Sequence, residues 1–206
     1  MALICLNAPD VEPIDLAHMK LYLKVEHAAD DRLLEGMIKA ARQAIEAYTT
    51  RSLLRHEWRL TLNVGFATAQ SGHNYLTHPS NRSDKGIELP RSPFMELLGE
   101  PKILDKYGTR SISHYRLDQA GRSAKIHFAS DLAQTLDGQG TLQIDFAAGY
   151  GKRPDDVPAP LKEAMMIIVA LLYDNRTGAN DNISYSVPMN ATVVNLIKPY
   201  QVLRLL

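Results

Sequence analysis

Cysteine is almost missing from this sequence. Cys5 is the one thiol in 206 residues, which excludes an internal disulfide and any cysteine-rich metal site. Net charge is missing too. The 23 basic and 23 acidic side chains cancel, so no global field gathers phosphates and a dedicated nucleic-acid binder is disfavoured. Long apolar runs are also lacking. The longest covers residues 164–173 and is too short to span a bilayer. The opening Met1-Ala-Leu-Ile-Cys-Leu carries no basic residue and is too short for a secretory signal, so a reducing cytosol is the expected place of synthesis. What remains is ordinary for a folded chain: 45% hydrophobic and 22% charged residues. The length suits one domain, or one domain carrying an inserted subdomain.

Apolar spacing predicts helices at 14–23, 31–49, 161–176 and 190–198. In the first, Pro13 suits the opening turn, and Ile14, Ala17 and Leu21 mark one apolar side that Leu16, Met19 and Leu23 widen. In the second, Asp30 is the expected N-cap, with Asp31 near the positive helix end. Leu34, Ile38, Ala41, Ile45 and Tyr48 form its buried stripe, while Lys39, Arg42, Gln43 and Glu46 fall largely off it. The third is apolar on every face over 164–173 and is expected to be buried all round, by its own core or by a neighbouring subunit. In the fourth, Asn190 can cap, Val193, Leu196, Ile197 and Tyr200 make a stripe, and Pro199 kinks or ends the helix.

Between the second and third helices the period changes to two. His56, Trp58, Leu60, Leu62 and Val64 alternate with Glu57, Arg59, Thr61 and Asn63, as in a half-buried strand. Further strands are expected at 87–89, 102–107, 113–117, 124–128 and 141–146, separated by turns rich in Gly and Asp. The stretch 65–85 is a long polar loop, of a kind that is usually functional or mobile. The fold class expected is therefore α+β. A helical core is formed by both chain ends (1–54 and 149–206), and 55–148 is an inserted β-rich subdomain.

The search for chemistry is mostly negative. Gly149-Tyr150-Gly151-Lys152 suggests a phosphate loop, but Phe146 stands where a glycine is needed and Arg153 where Ser or Thr is needed. A glycine turn after a strand is the plain reading. Gly138-Gln-Gly140 fails as a dinucleotide fingerprint because Gln143 replaces its third glycine. His73, His78 and Asp84 share the long loop without metal-ligand spacing. No Gly-x-Ser-x-Gly elbow is present, and Cys5 near an apolar terminus reads as a small core residue. No catalytic, cofactor-binding or metal residue is assigned. An enzyme or small-ligand protein that uses the β-rich subdomain as a pocket stays open as the alternative.

Several segments in order resemble one family. They are Pro13-Ile-Asp-Leu-Ala-His-Met-Lys-Leu-Tyr-Leu-Lys-Val, Asp30-Asp31-x-Leu33-Leu34, Ala40-Ala41-Arg42-x-x-Ile45-Glu46-x-Tyr48-Thr49 and Ile87-Glu-Leu-Pro90-Arg91-Ser-Pro93. Further on come Ile144-Asp-Phe-Ala-Ala-Gly149-Tyr150-Gly151, Val157-Pro158-x-Pro160-Leu-Lys162-x-Ala164, Val187-Pro188 and Leu196-Ile-Lys-Pro199-Tyr200. Together they resemble the head–tail connector (adaptor, head-completion) proteins of tailed bacteriophages and gene transfer agents. Two features depart from the pattern: Gln201 stands where the family often has Arg after Pro-Tyr, with Arg204 a substitute, and the 65–85 loop is longer than usual.

The resemblance implies a structural virion component without enzymatic activity or cofactor. Such a protein forms a ring, commonly of twelve subunits, below the portal protein. The ring extends the DNA channel and docks a stopper or other tail-completion protein. DNA only passes through it, without sequence-specific reading, and no membrane is involved. The expected location is the head–tail junction, after assembly in the bacterial host cytoplasm. The helical core would form the ring and dock the portal, which implies portal contacts from Leu196, Lys198, Pro199, Tyr200, Leu203, Arg204 and Leu206. Phe66, His73, Tyr75 and His78 of the long loop are the candidates for tail or neighbour contacts. Lys85, Arg91, Lys102, Lys106, Arg110, Arg116 and Arg122 give the β-rich block a basic tilt, read as a solvated face or a ring lumen.

Overall fold

The computed structural model describes residues 1–65, 86–120, 123–128, 139–176 and 189–202. The chain is α+β and divides into two compact units. One comprises Met1–Ala8 and His56–Ala148; the other comprises Pro9–Arg55 and Gly149–Leu206.

The first unit is built from antiparallel strands. β1 (Ala2–Asn7), β2 (His56–Gly65), β9 (Gln139–Ala148), β5 (Lys102–Asp105) and β6 (Gly108–Ser111) lie in the order β1-β2-β9-β5-β6, and β4 (Phe94–Leu97) also pairs with β9. A smaller sheet has the order β3-β8-β7, from Ile87–Glu88, Lys125–Phe128 and Tyr115–Asp118. The alternation read in β2 is real: Leu60 and Leu62 are buried, and Leu60 pairs with Ile144 of β9. Ile144, Phe146 and Leu142 join Ile103, Ile126 and Leu89 in one apolar core. β5 and β6 form a hairpin in which Asp105 accepts a hydrogen bond from the Tyr107 N–H at 2.8 Å.

Three strands were not foreseen. Residues Ala2–Asn7 form β1, so 1–8 pack with the sheet and not with the helices. Cys5 is exposed on this strand, which corrects its reading as a core residue: β1 lies at a sheet edge and most of it faces water. β4 and β6 were the other two, short strands between Pro- and Gly-containing turns.

The second unit is helical. It contains α1 (Leu16–Leu23), α2 (Asp31–Thr49), α3 (Ala159–Asp174) and α4 (Ala191–Ile197), with 3-10 turns at Pro154–Asp156 and Lys198–Tyr200. Its core joins Met19, Leu34, Ile38, Ala41, Ile45, Leu53, Leu161, Met165, Ile168, Val193 and Ile197. α1 is capped by Asp15, whose carboxylate accepts the His18 N–H at 2.6 Å, so Pro13 lies before the helix rather than in it. Its phase also differs from the expected one. Met19 is buried while Leu21 is 79% exposed.

α2 shows the expected stripe, but two charged residues counted off it are buried. Arg42 donates to Glu12 at 2.6 Å and to Glu46 at 2.9 Å, and the other oxygen of Glu46 accepts the Leu53 N–H at 2.8 Å. Burial works against the Arg42 charge, yet the hydrogen bond and charge of Glu12, together with Glu46, raise its pKa above the ordinary value. Asp30 occupies the N-cap position of α2 without a side-chain cap; its carboxylate accepts instead from the Tyr173 hydroxyl. α3 is not buried all round. Leu161, Ala164, Met165, Ile168 and Val169 are buried, whereas Met166, Ile167, Ala170, Leu171 and Leu172 are half-buried. None of the described helices is long and apolar enough to cross a membrane.

The glycine turn after β9 has a steric reason. Gly149 has φ +150°, and a Cβ there would sit 2.3 Å from the Leu54 carbonyl oxygen. The turn is held by Arg55 N–H to Gly151 C=O at 2.8 Å and Tyr150 N–H to Leu53 C=O at 3.3 Å. Asp156 accepts the Arg153 N–H at 2.9 Å, which with the Arg153 side chain holds its carboxyl below the ordinary range.

Candidate docking segment of the helical unit

The apolar stripe of α4 anchors the C-terminal segment. Asn190 accepts the Val193 N–H at 2.8 Å and starts the helix, and Val193 and Ile197 are fully buried. Leu196 and Tyr200 pack half-buried against the same core. Pro199 enters the 3-10 turn that ends α4, and Lys198 and Pro199 are exposed.

After that turn the chain lies on the corner that closes α2. Thr50 there has φ 56°, a left-handed residue that ends the helix. The Thr49 carbonyl, left without a helical partner by that ending, accepts the Val202 N–H at 3.2 Å. The Arg51 side chain donates to the Tyr200 carbonyl, and its guanidinium lies 5.9 Å from the Tyr150 ring centroid. Burial raises the Tyr150 pKa, with the nearby Arg51 charge opposing. Val202 is buried.

Of the expected portal contacts, Leu196, Lys198, Pro199 and Tyr200 are thus adjacent on one short stretch. Leu203, Arg204 and Leu206 lie outside the described residues, as do Phe66, His73, Tyr75 and His78 of the long loop. The sequence gives Thr49 and Arg51 no contact role, and Val202 is there the first residue of an apolar C-terminal strip. Only the apolar character of Val202 hinted at an anchor.

The β-rich unit has no basic tilt once all its charges are counted. Residues 56–148 hold ten basic and ten acidic side chains. Several cations are also engaged. Arg110 pairs with Asp105, Arg59 pairs with Asp145 through two 2.7 Å bonds, and Arg91 lies 4.7 Å from the Trp58 ring centroid. Lys85 and Arg122 lie outside the described residues. Among the described residues no three His, Cys, Asp or Glu side chains converge as metal ligands.

Residues 13–91 match the family described as Phage gp6-like head-tail connector protein, the class that the ordered motifs resemble. Solved structures narrow the likeness to one kind of particle. A chain from the neck of an empty gene transfer agent particle, computed with C6 symmetry, is similar at TM-score 0.70 and 21% identity, covering 100% of this chain and 98% of that one. A chain from the virion of a native gene transfer agent particle is similar at TM-score 0.72 and 22% identity, with the same coverage. A third, from the neck of a native particle computed with C12 symmetry, gives TM-score 0.62 and 21% identity, again with 100% and 98% coverage. No curated protein matches the sequence. The fold is therefore the one found in these particles over the whole chain.

Proposed function

We propose that this protein is a structural head–tail connector, an adaptor in the neck of a tailed phage or gene transfer agent particle, and not an enzyme. The observation that carries this reading is the whole-chain fold likeness to gene transfer agent chains, joined to the connector-family match at 13–91. The chains it resembles include ones from necks computed with C6 and C12 symmetry, which supports a ring with a copy number near twelve. A ring of this kind extends the DNA channel, with DNA passing through and not read.

In this reading the helical unit, Pro9–Arg55 with Gly149–Leu206, forms the ring and docks the portal, and the β-rich unit comprises Met1–Ala8 with His56–Ala148. The portal contact falls to Leu196, Lys198, Pro199 and Tyr200 with Leu203, Arg204 and Leu206 beyond them. The half-buried apolar face of α3 supports assembly by surface burial, since apolar area left in water favours a partner. The stopper or tail side falls to the β-rich unit, with the 65–85 loop. Assembly takes place in the host cytoplasm, and the mature position is the head–tail junction.

Electron microscopy of the recombinant protein mixed with its cognate portal tests this. The expected image is an additional ring on the narrow end of the portal. A portal left bare at saturating protein overturns the reading.

A further inference from the structure

We infer that the two ends of the large sheet are the two halves of a contact between copies of this chain. The edge strand β1 of one copy pairs with the edge strand β6 of the next. The inference rests on the reading above, in which copies form a ring, and it names a surface they use there.

The order β1-β2-β9-β5-β6 leaves β1 and β6 at opposite ends, each paired on one side only among the described residues. β1 is an unguarded edge. Ala-Leu-Ile-Cys-Leu-Asn holds no charge and no proline, the features that commonly keep an edge from pairing. Its one irregularity falls between Cys5 and Asn7, so a regular stretch of four residues precedes it. β6 is also four residues long and is exposed throughout. Its one charge, Arg110, is engaged by Asp105 within the hairpin.

The exposed apolar side chains of this unit gather at the same two ends. Met1, Ile4 and Leu6 are exposed on or beside β1. Tyr107, 71% exposed, stands at the tip of the β5–β6 hairpin. Among the described residues of the β-rich unit no other large apolar side chain is exposed. Asp105 accepts from the Tyr107 N–H and from Arg110, which fixes the tip before any partner arrives. A head-to-tail contact needs two different surfaces on one subunit, and such contacts close into rings. Main-chain hydrogen bonds join the two edges, while the apolar side chains of β1 shed water against the hairpin. Four paired residues cover less than the roughly 1,000 Å² of a stable interface, so the contact adds to burial elsewhere on the subunit.

Register fixes which residues can meet. Ile4 lies opposite Arg59, and Arg59 opposite Asp145 of β9. Thr109 lies opposite Leu104, and Leu104 opposite Thr141 of β9. Ser111 lies opposite Lys102, and Lys102 opposite Gln143. Positions 141, 143 and 145 share one face of β9, so Ile4, Thr109 and Ser111 share one face of the sheet. A neighbouring β1 that continues the sheet therefore sets Ile4 beside Thr109 or Ser111.

The test is disulfide capture in the full chain. In a Cys5→Ser background, Ile4→Cys is combined with Thr109→Cys or with Ser111→Cys, and each protein is oxidised with and without recombinant portal. All of these positions are exposed, so the fold should tolerate the changes. One combination is expected to give a ladder of covalent multimers on a non-reducing gel, and each cysteine substitution alone to give none. Dimers from Ile4→Cys alone mean that β1 meets β1, which overturns the head-to-tail contact. No ladder from either combination, with and without portal, overturns the contact whether or not microscopy shows a ring. A ladder beside a portal left bare keeps the contact and removes the connector reading. If the cysteine variants do not fold, Ile4→Glu in the parent chain carries the decision. The new carboxylate lies opposite Arg59, which suits it in the free subunit. Self-association measured by sedimentation is expected to weaken about tenfold, as a charge on an edge strand opposes pairing. Unchanged association in that folded variant overturns the contact.

Discussion

The hydroxyl of Tyr173, at the end of α3, donates to the carboxylate of Asp30, just before α2, at 2.6 Å. Two helices far apart in sequence are joined at their ends by this bond. Beside it, Lys20 of α1 reaches Asp31 at 2.6 Å. The bond to Asp30 is the first cause holding the Tyr173 pKa above its ordinary 10.0, with burial and the Asp30 charge adding to it. The folded state therefore holds this proton more tightly than the unfolded chain. Its contribution is complete below the ordinary tyrosine value and is lost as pH rises through the folded one. Urea midpoints measured from pH 8 to pH 11 should fall more steeply for the parent than for Tyr173→Phe. Parallel curves would show that the bond carries no such linkage.

The Glu12–Arg42–Glu46 group makes a second prediction. Arg42 is 3% exposed and pairs with two carboxylates from positions separated in sequence. Arg42→Ala strands both, and a buried charge left without its partner costs about 3–5 kcal/mol. Arg42→Met combined with Glu46→Gln should recover part of that loss. The glutamine oxygen can still accept the Leu53 N–H, and no buried carboxylate is left at 46. Chemical denaturation of the three proteins orders them. A single variant as stable as the parent would mean the group is solvated.

Which parts of this fold could be read from the sequence follows from how local each determinant is. The stripe Leu34, Ile38, Ala41 and Ile45 and the alternation Trp58, Leu60, Leu62 are local patterns, and both stand in the structure. The stripe Val193, Ile197 and Tyr200 was legible for the same reason. α1 was placed, but Ala17 and Leu21 face out while Ile14 and Met19 face in, because Leu16, Ala17, Met19, Leu21 and Leu23 are apolar around most of the helix and give no preferred side. Arg42 and Glu46 looked like solvent residues because their partner Glu12 lies outside the helix. β1 escaped because six mostly apolar residues at a sheet edge show no alternation. The Val202–Thr49 bond joins backbone atoms, which no side-chain pattern reports.

Two glycines should respond in opposite directions to alanine. Gly149 has φ +150°, and a Cβ there would lie 2.3 Å from the Leu54 carbonyl oxygen, an atom of the backbone that cannot swing aside. Gly149→Ala is expected to destabilise by about 1–3 kcal/mol or more, from strained backbone and collision together. Gly36 lies inside α2 with nothing within 4 Å of a Cβ, so Gly36→Ala should stabilise by about 0.5–1 kcal/mol. Thermal melts of both decide the matter. A neutral Gly149→Ala would mean that the turn after β9 relaxes freely.

The inward side of α1 gives the last prediction. Met19 is fully buried in the helical core, whereas Leu21, two residues on, is 79% exposed. The apolar period alone had assigned Leu21 to the inside. Met19→Ala should therefore cost about 2–5 kcal/mol, the transfer of the side chain plus the cavity it leaves. Leu21→Ser removes almost no buried area, so its effect on stability should stay within about 0.5 kcal/mol. Guanidinium unfolding of the isolated protein separates the two faces of the helix. If Leu21→Ser proves as costly as Met19→Ala in the monomer, Leu21 faces the core as its apolar spacing suggests. If Leu21→Ser leaves the monomer unharmed but weakens its self-association, the exposed leucine belongs to an intersubunit contact. The same side chain then contributes nothing to folding and much to association.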